Sequence, residues 1–226
     1  MRQNKIARFA LRALAAIAVL HVAFMLFTSV LLFRYRTANP RTTGIMIYRK
    51  IAYKWPSNEM RFLPLGKIPK KVRQMVIRVE DGTFYSHHGI IPSALKHAWL
   101  VNKQLEKPVY GGSTITMQTA RTLFLVPEKS YLRKYLEMII ALEMELILDK
   151  DRILELYLNY AEWGKGVYGI EAASRHHYRR GVASLSSDQA VRLVTLLSSP
   201  IKYEPYSLNK SAILRSRYHY LSSRFP

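Results

Sequence analysis

The first clear pattern in the chain is an apolar run of about 21 residues, Ala13–Phe33, interrupted only by His21 and the pair Thr28 and Ser29. As a helix, this run would be about 31 Å long, which is enough to cross a bilayer. It is longer than the apolar part of a signal peptide and does not end at a small-residue cleavage site. The pattern therefore predicts an uncleaved transmembrane anchor at residues 13–33.

Basic residues flank this run on both sides. Four lie within residues 1–12, and three follow within residues 34–41. This distribution modestly favours a cytoplasmic location for residues 1–12, so the rest of the chain is expected outside the cytoplasm. Residues 34–68 read as a basic, proline-punctuated connector, in which Ile45–Tyr48 could form a short strand. Residues 69–226 are predicted to form one domain.

From Pro69 onward, apolar residues recur at helical spacing, so the predicted fold class is mainly α. The predicted helices cover about 70–80, 93–105, 113–124, 130–146, 151–159, 170–178, 187–197 and a last segment from about 209. Residues 108–112 break the chain before the third of these helices, which Ser113 is predicted to cap, and Ser130 is predicted to cap the fourth. The predicted apolar face of the fourth helix consists of Leu132, Tyr135, Leu136, Ile139, Leu142 and Leu146.

Composition adds a strong charge to this picture. The 226 residues carry a formal net charge of +20, and 49% of them are hydrophobic. That hydrophobic share can bury the core of one sizeable domain. The charge implies an anionic partner, either nucleic acid, an anionic membrane surface or a phosphate-bearing substrate. The chain has no cysteine, so the fold uses no disulfide.

Two adjacent carboxylates, Glu80 and Asp81, mark the end of the first helix of the domain. A carboxylate at a helix C terminus, close to aromatic residues such as Phe84, is suited to act as a general base near neutral pH. The alternative is a solvated pair that ends a surface helix. His87 and His88 follow, but no second ligand cluster has zinc spacing, so a structural metal site is not expected.

Two later segments also carry candidate chemistry. Gly111–Gln118 places Ser113, Thr114 and Gln118 at a predicted helix N terminus, where backbone N–H groups favour an anion, although an ordinary helix cap is the alternative. Arg121 follows Gln118 by about one turn. Arg133, Lys134 and Glu137 begin the next helix, either as a second carboxylate with two cations or as a surface ion pair. Glu162–Gly169 contains three glycines, which indicates a close backbone approach.

Taken together, five blocks in order resemble the glycosyltransferase domain of bacterial peptidoglycan synthases, and particularly the single-span monofunctional transglycosylases. The resemblance covers about residues 68–220. The blocks are Glu80-Asp81-x-x-Phe84-x-x-His87-x-Gly89, Gly111-Gly112-Ser113-Thr114-Ile115-Thr116-x-Gln118, Arg133-Lys134-x-x-Glu137, Lys150-x-x-Ile153-Leu154-Glu155-x-Tyr157-Leu158-Asn159 and Gly164-x-Gly166-x-Tyr168-Gly169-Ile170-Glu171-Ala172-Ala173.

The resemblance implies a lysozyme-like helical domain on the outer face of the cytoplasmic membrane. Such a domain polymerises lipid II into β-1,4-linked glycan strands and releases undecaprenyl pyrophosphate, with the glutamate matching Glu80 as the general base. Glu137 is implied as a second catalytic carboxylate, which binds a divalent cation, Mg²⁺ or Mn²⁺, together with the pyrophosphate. No organic cofactor is implied. The implied substrate-binding residues are Asp81, Phe84, His87, Ser113, Thr114, Gln118, Arg121, Arg133 and Lys134.

The implied partners are lipid II, the growing glycan strand, the membrane and other cell-wall synthesis proteins, and they do not include nucleic acid. Arg121 stands where the family commonly has lysine, and it preserves the charge. Two other classes of function remain open at this point. One is a lysozyme-like hydrolase or lytic transglycosylase that cleaves finished peptidoglycan, and the other is a membrane-tethered basic binding module.

Overall fold

A computed structural model describes residues 2–55, 60–106 and 111–226, and these residues form ten α-helices and one short β-hairpin. The helices are α1 (Arg2–Tyr35), α2 (Gly44–Tyr53), α3 (Lys70–Glu80), α4 (Pro92–Gln104), α5 (Ile115–Phe124), α6 (Tyr131–Ile147), α7 (Lys150–Tyr160), α8 (Ile170–Tyr178), α9 (Ser187–Thr195) and α10 (Ala212–Arg224). The hairpin consists of β1 (Glu162–Gly164) and β2 (Val167–Tyr168), which pair antiparallel. The predicted mainly α class is confirmed. Most of the predicted break at 108–112 lies outside the described residues.

Helix α5 lies at the centre of the domain, against α2, α6 and α7. Most of its side chains are buried, including Met117 and Ala120. The hydroxyl of the buried Thr119 donates to the Ile115 carbonyl of the same helix at 2.8 Å. A helix buried on nearly all sides holds its polar side chains in fixed positions, so α5 can position the residues of a site.

The C-terminal part of the chain packs back onto the first helix of the domain. Helix α9 lies between α3 and α10 and contacts both of them. A full capping box begins α9, in which Ser186 and Gln189 each bond the other's backbone N–H. This arrangement brings α10 to the side of the domain where α3 ends.

Helix α1 contains the predicted anchor and extends beyond it at both ends. It is long and apolar enough to cross a membrane, and most of its large apolar side chains, such as Phe9 and Leu20, are exposed. One face of α1 packs against α6. The anchor therefore joins the rest of the protein through a helix–helix contact as well as through the connector.

Two local predictions are wrong. Ile45–Tyr48 belongs to α2 rather than to a strand, because the Thr43 side chain caps this helix by accepting the Met46 N–H, and because Ile45 and Met46 are both buried although they are adjacent. Strand side chains would alternate between the two faces. The cap of α5 is Thr114 rather than Ser113, since the Thr114 hydroxyl accepts the Met117 N–H at 3.1 Å.

The predicted buried face of α6 is also wrong. Leu132 and Leu146 are 69% and 87% exposed, whereas the buried face is displaced by about one residue. That buried face consists of Glu137, Ile140, Ala141, Glu143 and Met144. Helix α6 is apolar on two sides, and periodicity alone cannot tell which of the two faces the core.

Gly169 of the hairpin segment makes the predicted close backbone approach. Gly169 has a positive φ of 83°, and a Cβ there would lie only 2.4 Å from the Asn159 carbonyl oxygen. Any other residue would be strained and would also clash, so glycine lets the hairpin lie directly against the end of α7.

Candidate active site

Glu80 is the last residue of α3, where the chain leaves the helix. Its side chain is only 10% exposed, so it is not a solvated surface carboxylate. One oxygen, Oε2, accepts a hydrogen bond from Gln118 Nε2 at 3.0 Å. The other oxygen, Oε1, forms an ion pair with the Arg217 guanidinium of α10. Both oxygens are thus oriented by fixed partners.

Tyr157 of α7 completes this group. Its hydroxyl donates to Gln118 Oε1 at 3.1 Å, which leaves the amide N–H₂ of Gln118 to face Glu80. Burial, and secondly the negative charge of Glu80, raises the pKa of Tyr157 well above its usual value. The hydroxyl therefore keeps its proton and remains a donor.

Asp81, the neighbour of Glu80, connects α3 with α5 through hydrogen bonds. Its Oδ2 accepts the backbone N–H of Ile115 at 3.0 Å and contacts His87 Nε2 at 2.8 Å. The Gly89 N–H donates to His87 Nδ1 at 3.1 Å, so the proton of the ring lies on Nε2 and is donated to Asp81. Asp81 therefore ties the end of α3 to the start of α5, and it holds Glu80 next to Gln118.

Two other predicted site residues, Phe84 and Thr114, lie in the loop after Glu80 and at the cap of α5. Phe84 is fully buried, and Lys150 Nζ lies 4.6 Å from the centre of its ring. The Thr114 hydroxyl donates to the Gly89 carbonyl at 2.5 Å while it caps α5. In this structure both side chains support the loop after Glu80, and their role in substrate binding stays a prediction.

Glu137 is the second carboxylate, and its side chain is fully buried. Oε2 pairs with Arg133, whereas Oε1 lies 3.0 Å from Lys134 Nζ and 4.0 Å from Arg121 Nη1. Ser113 joins the cluster, because its Oγ accepts from Lys134 Nζ at 2.6 Å and lies 3.3 Å from Glu137 Oε1. Three cations thus surround one anion, and the surface ion-pair interpretation does not hold.

The cations of this cluster remain partly accessible. Arg121 and Lys134 keep about a third of their side-chain surface exposed, while the carboxylate beneath them has none. Burial is the main influence on Lys134, and it lowers the pKa of this lysine despite the opposing charge of Glu137. The formal charge of the four groups is three positive minus one negative, or +2. A bound anion would relieve that excess.

Helix α5 joins the two groups. Gln118 contacts Glu80, and Arg121, three residues later on the same side of the helix, contacts Glu137. The structure therefore brings together most of the predicted site residues along one helix. The sequence motifs predict no role for Tyr157 or Arg217. Tyr157 lies in one of the five blocks, whereas Arg217 is 137 residues from its partner and belongs to no block.

The residues around Glu137 do not form a metal site of their own. Within the parts of the chain that the structure describes, no three His, Cys, Asp or Glu side chains are grouped so that they could hold a metal ion. Both Glu137 oxygens already contact cations, so a metal ion could reach Glu137 only by displacing Arg133 or Lys134. An ion at this place would need ligands from a bound phosphate.

Comparison with known proteins identifies the class. Residues 48–224 match the transglycosylase family. A protein of Paraburkholderia xenovorans (strain LB400) named biosynthetic peptidoglycan transglycosylase is 37% identical over 220 residues, which cover 92% of this chain and 90% of the relative. Relatives of the same name from Burkholderia multivorans and Bordetella pertussis are each 38% identical and cover 93% and 94% of this chain and 89% of their own lengths.

The fold and these similarities define a glycosyltransferase enzyme. The chain belongs to the transglycosylase family, and the resemblance drawn from the five sequence blocks is confirmed. All five blocks lie within the matched residues. A membrane-tethered module that only binds an anion is therefore excluded.

Proposed function

We propose that the chain polymerises lipid II into β-1,4-linked glycan strands of peptidoglycan and releases undecaprenyl pyrophosphate. The observation that carries this proposal is the pair of buried carboxylates that α5 joins, one beside an amide and the other beneath three cations. A transfer between lipid-linked sugars needs both a base for the acceptor and a positive site for the leaving pyrophosphate.

Glu80 is the proposed general base. Its carboxylate takes the proton of the acceptor's 4-hydroxyl as that oxygen bonds to the anomeric carbon of the donor. The bond from the anomeric carbon to the pyrophosphate breaks on the opposite side, so one displacement inverts the configuration to β. Gln118 and Arg217 orient the two carboxylate oxygens, and Tyr157 fixes the rotamer of the amide.

The cluster around Glu137 is the proposed site of the pyrophosphate. The leaving group departs with the bonding electron pair, and positive charge placed in advance stabilises that developing charge. Arg121, Arg133 and Lys134 supply this charge, and Glu137 holds the cations apart in fixed directions. An acid to protonate the leaving group is not needed, because a pyrophosphate is stable as an anion.

The proposal includes a divalent cation, but one that is bound mainly by the substrate rather than by the protein. Because Glu137 is already surrounded by cations, the ion would reach the site on the pyrophosphate oxygens and would take few ligands from the protein. The Glu137→Gln variant should then need the same concentration of Mg²⁺ or Mn²⁺ as the wild-type enzyme. A large increase in that concentration would show that Glu137 is a ligand.

We place the domain on the outer face of the cytoplasmic membrane, with α1 as its anchor. This location rests on the apolar length of α1 and on the basic residues before it. A periplasm-dependent reporter fused after Pro226 should be active. Activity of a cytoplasm-only reporter at the same place would contradict the location and also the access to outer-leaflet lipid II.

The decisive experiment supplies the purified full chain with lipid II or with finished peptidoglycan. The wild-type chain should form polymer from lipid II and should not cleave the finished glycan. Glu80→Gln, which preserves size and hydrogen bonding, should lower polymerisation by about 10²- to 10⁴-fold, because it removes a general base. Glu204→Gln, at an exposed glutamate, is the matched control and should leave the rate unchanged.

Two results would overturn the proposal. A folded Glu80→Gln protein that retains more than about a tenth of the wild-type rate would remove Glu80 from the role of base. Soluble fragments from finished peptidoglycan, with no polymer from lipid II, would favour the lytic alternative.

A further inference from the structure

Three polar side chains of α1 recur every seven residues, at His21, Thr28 and Tyr35. Seven residues are almost two helical turns, so the three lie on one side of α1. All three meet the catalytic domain. His21 and Thr28, two of the three polar interruptions of the anchor, thus lie on the face that packs against the domain, whereas most large apolar side chains of α1 are exposed.

We call the contact surface between α1 and the catalytic domain the seam. Two of the three contacts lie at its ends. At one end, His21 Nε2 lies 3.4 Å from the Tyr135 hydroxyl, with the two rings 5.7 Å apart. At the other end, the Tyr35 ring lies 6.1 Å from the Phe124 ring, and the backbone carbonyl of Tyr35 accepts from Arg152 Nε at 2.7 Å. Between these ends the seam is closed by apolar side chains such as Leu32, which has no exposed surface.

The middle contact joins Thr28 to Glu143 of α6, with 2.6 Å between Thr28 Oγ1 and Glu143 Oε2. Both residues are buried, at 0% and 7% exposure. Thr28 Oγ1 also lies within reach of the carbonyls of Phe24 and Met25 in its own helix. Glu143 Oε1, by contrast, is buried and has no hydrogen-bond partner within the described residues. Glu143 therefore depends on Thr28 alone among those residues.

This dependence fixes the register of the two helices. They run in the same direction, since His21 and Thr28 of α1 face Tyr135 and Glu143 of α6. A slip of α1 by one turn, about 5.4 Å, would bring an apolar residue opposite Glu143. The buried carboxylate would then have no partner, which is costly, so only one register is favoured. A single polar residue in an apolar helix seam specifies register in the same way in coiled coils.

We propose that Thr28 and Glu143 are positioning residues that set the depth of the active site relative to the membrane. Helix α6 carries Arg133, Lys134 and Glu137 as well as Glu143, so fixing α6 on the anchor also fixes these cations at one height along the anchor. The inference rests on the proposed lipid-linked substrate, because depth matters only when the reacting pyrophosphate is held at a membrane surface.

The test compares two substrates on the full chain reconstituted in vesicles. One is lipid II in the same bilayer, and the other is a short-chain, water-soluble lipid II analogue added from solution. Thr28→Val keeps the shape of the side chain but removes its hydroxyl. It should lower turnover of bilayer lipid II by about 3- to 15-fold, the range expected for one hydrogen bond between membrane helices. Turnover of the soluble analogue should change less than about twofold.

Ser29→Ala, which removes the neighbouring hydroxyl, is the matched control and should change neither rate. If Thr28→Val lowers both rates equally, the contact serves only to stabilise the fold and the proposal is wrong. If it lowers neither rate, the contact does not position the site and the proposal is equally wrong.

A second measurement does not depend on activity. Because the chain has no cysteine, Thr28→Cys with Glu143→Cys introduces the only two thiols, which a short reducible thiol cross-linker should join. The linked protein should recover the wild-type rate on bilayer lipid II to within about twofold, and reduction should lower that rate to the Thr28→Val level. Failure to cross-link, or no loss of rate on reduction, would overturn the positioning role. If the double-cysteine variant cross-links but the wild-type chain makes no polymer from either substrate, the proposed function is refuted and the helix contact is not.

Discussion

The surroundings of Glu80 and of Glu137 differ far more than their burial does. Glu80 faces one amide and one guanidinium, so its group is formally neutral. Glu137 faces three cations, so its group carries an excess of two positive charges. Glu80 is thus oriented by its partners, whereas Glu137 holds its own partners, three cations, in place. Different environments can give identical side chains different roles in one active site.

In the proposed reaction, this difference assigns proton removal to the group around Glu80 and binding of the leaving pyrophosphate to the group around Glu137. The neutral group can receive a proton without creating a large imbalance of charge, as an acceptor-side base must. The positive group attracts an anion but offers no free carboxylate oxygen to a sugar hydroxyl. Variants that affect only one group should therefore alter different steps, and three of them test the comparison.

Among these three variants, the largest effect is expected for Glu137→Gln. Three cations would lose their shared anion, so the cluster should lose its fixed geometry and turnover should fall by about 10²- to 10³-fold. The free energy of unfolding should fall by about 1–3 kcal/mol, because a buried charged hydrogen-bond partner is lost. Polymerisation rate and denaturant unfolding on the same preparation measure both quantities.

Glu145→Gln provides the control for that variant. Glu145 is also largely buried and pairs with Lys150 and with the Thr116 hydroxyl, away from the cation cluster. Its substitution should lower stability but leave turnover within about threefold of wild type, unlike the change at the cluster. Equal losses of rate in the two variants would mean that Glu137 acts through stability alone.

An intermediate effect is expected for Arg217→Gln. The guanidinium holds one oxygen of Glu80, and its loss should let the carboxylate leave its reactive position, lowering kcat by about 10- to 100-fold. The KM for lipid II should change little, since Arg217 lies at the base rather than at the cation cluster. Arg217→Lys should restore part of the rate. A rise in KM with unchanged kcat would place Arg217 in substrate binding instead.

The smallest effect is expected for Lys134→Arg. At neutral pH both side chains are charged, so the rate should stay within about threefold. Burial lowers the pKa of Lys134 below its ordinary 10.5, so the wild-type cluster should lose this charge on the alkaline side, at a lower pH than an ordinary lysine would. The alkaline limb of the rate profile should move upward in Lys134→Arg, because arginine does not titrate there.

The same substitution has a consequence for stability. Between the lowered pKa and 10.5, the unfolded chain binds more protons at position 134 than the folded chain does, so the free energy of unfolding rises with pH in that window. Lys134→Arg should remove this contribution. An unchanged alkaline limb and an unchanged pH dependence of unfolding would contradict the assigned burial of Lys134.

Much of the site could be predicted because its residues lie in short ordered blocks. Glu80, Gln118 and Glu137 each occur in such a block, at a helix end or on the first turns of a helix, where local spacing is informative. Arg217 could not be found in this way, since α10 reaches Glu80 only through the packing of α9 between α3 and α10. A contact across 137 residues leaves no local pattern in the chain.

The errors in the fold have a related cause. The buried face of α6 was misplaced because both sides of this helix are apolar, and periodicity measures apolarity rather than burial in protein. The cap of α5 was placed one residue early because Ser113 and Thr114 are equally good caps, and only the fold assigns Ser113 to Lys134. From α3 onward the existence of each helix was predictable, whereas its orientation required the neighbours.

The hydrogen bonds of Asp81 also bear on how the protein opens locally. Its carboxylate accepts hydrogen bonds from the Ile115 N–H and from the His87 ring, and the same ring accepts a hydrogen bond from the Gly89 N–H. These two amides should therefore exchange their hydrogens with solvent at similar rates, because the loop after Glu80 and the first turn of α5 separate as one cooperative unit. Local opening of the domain would then displace Glu80 and the start of α5 at the same time. A partly opened form would therefore not retain an active Glu80 in a wrong orientation.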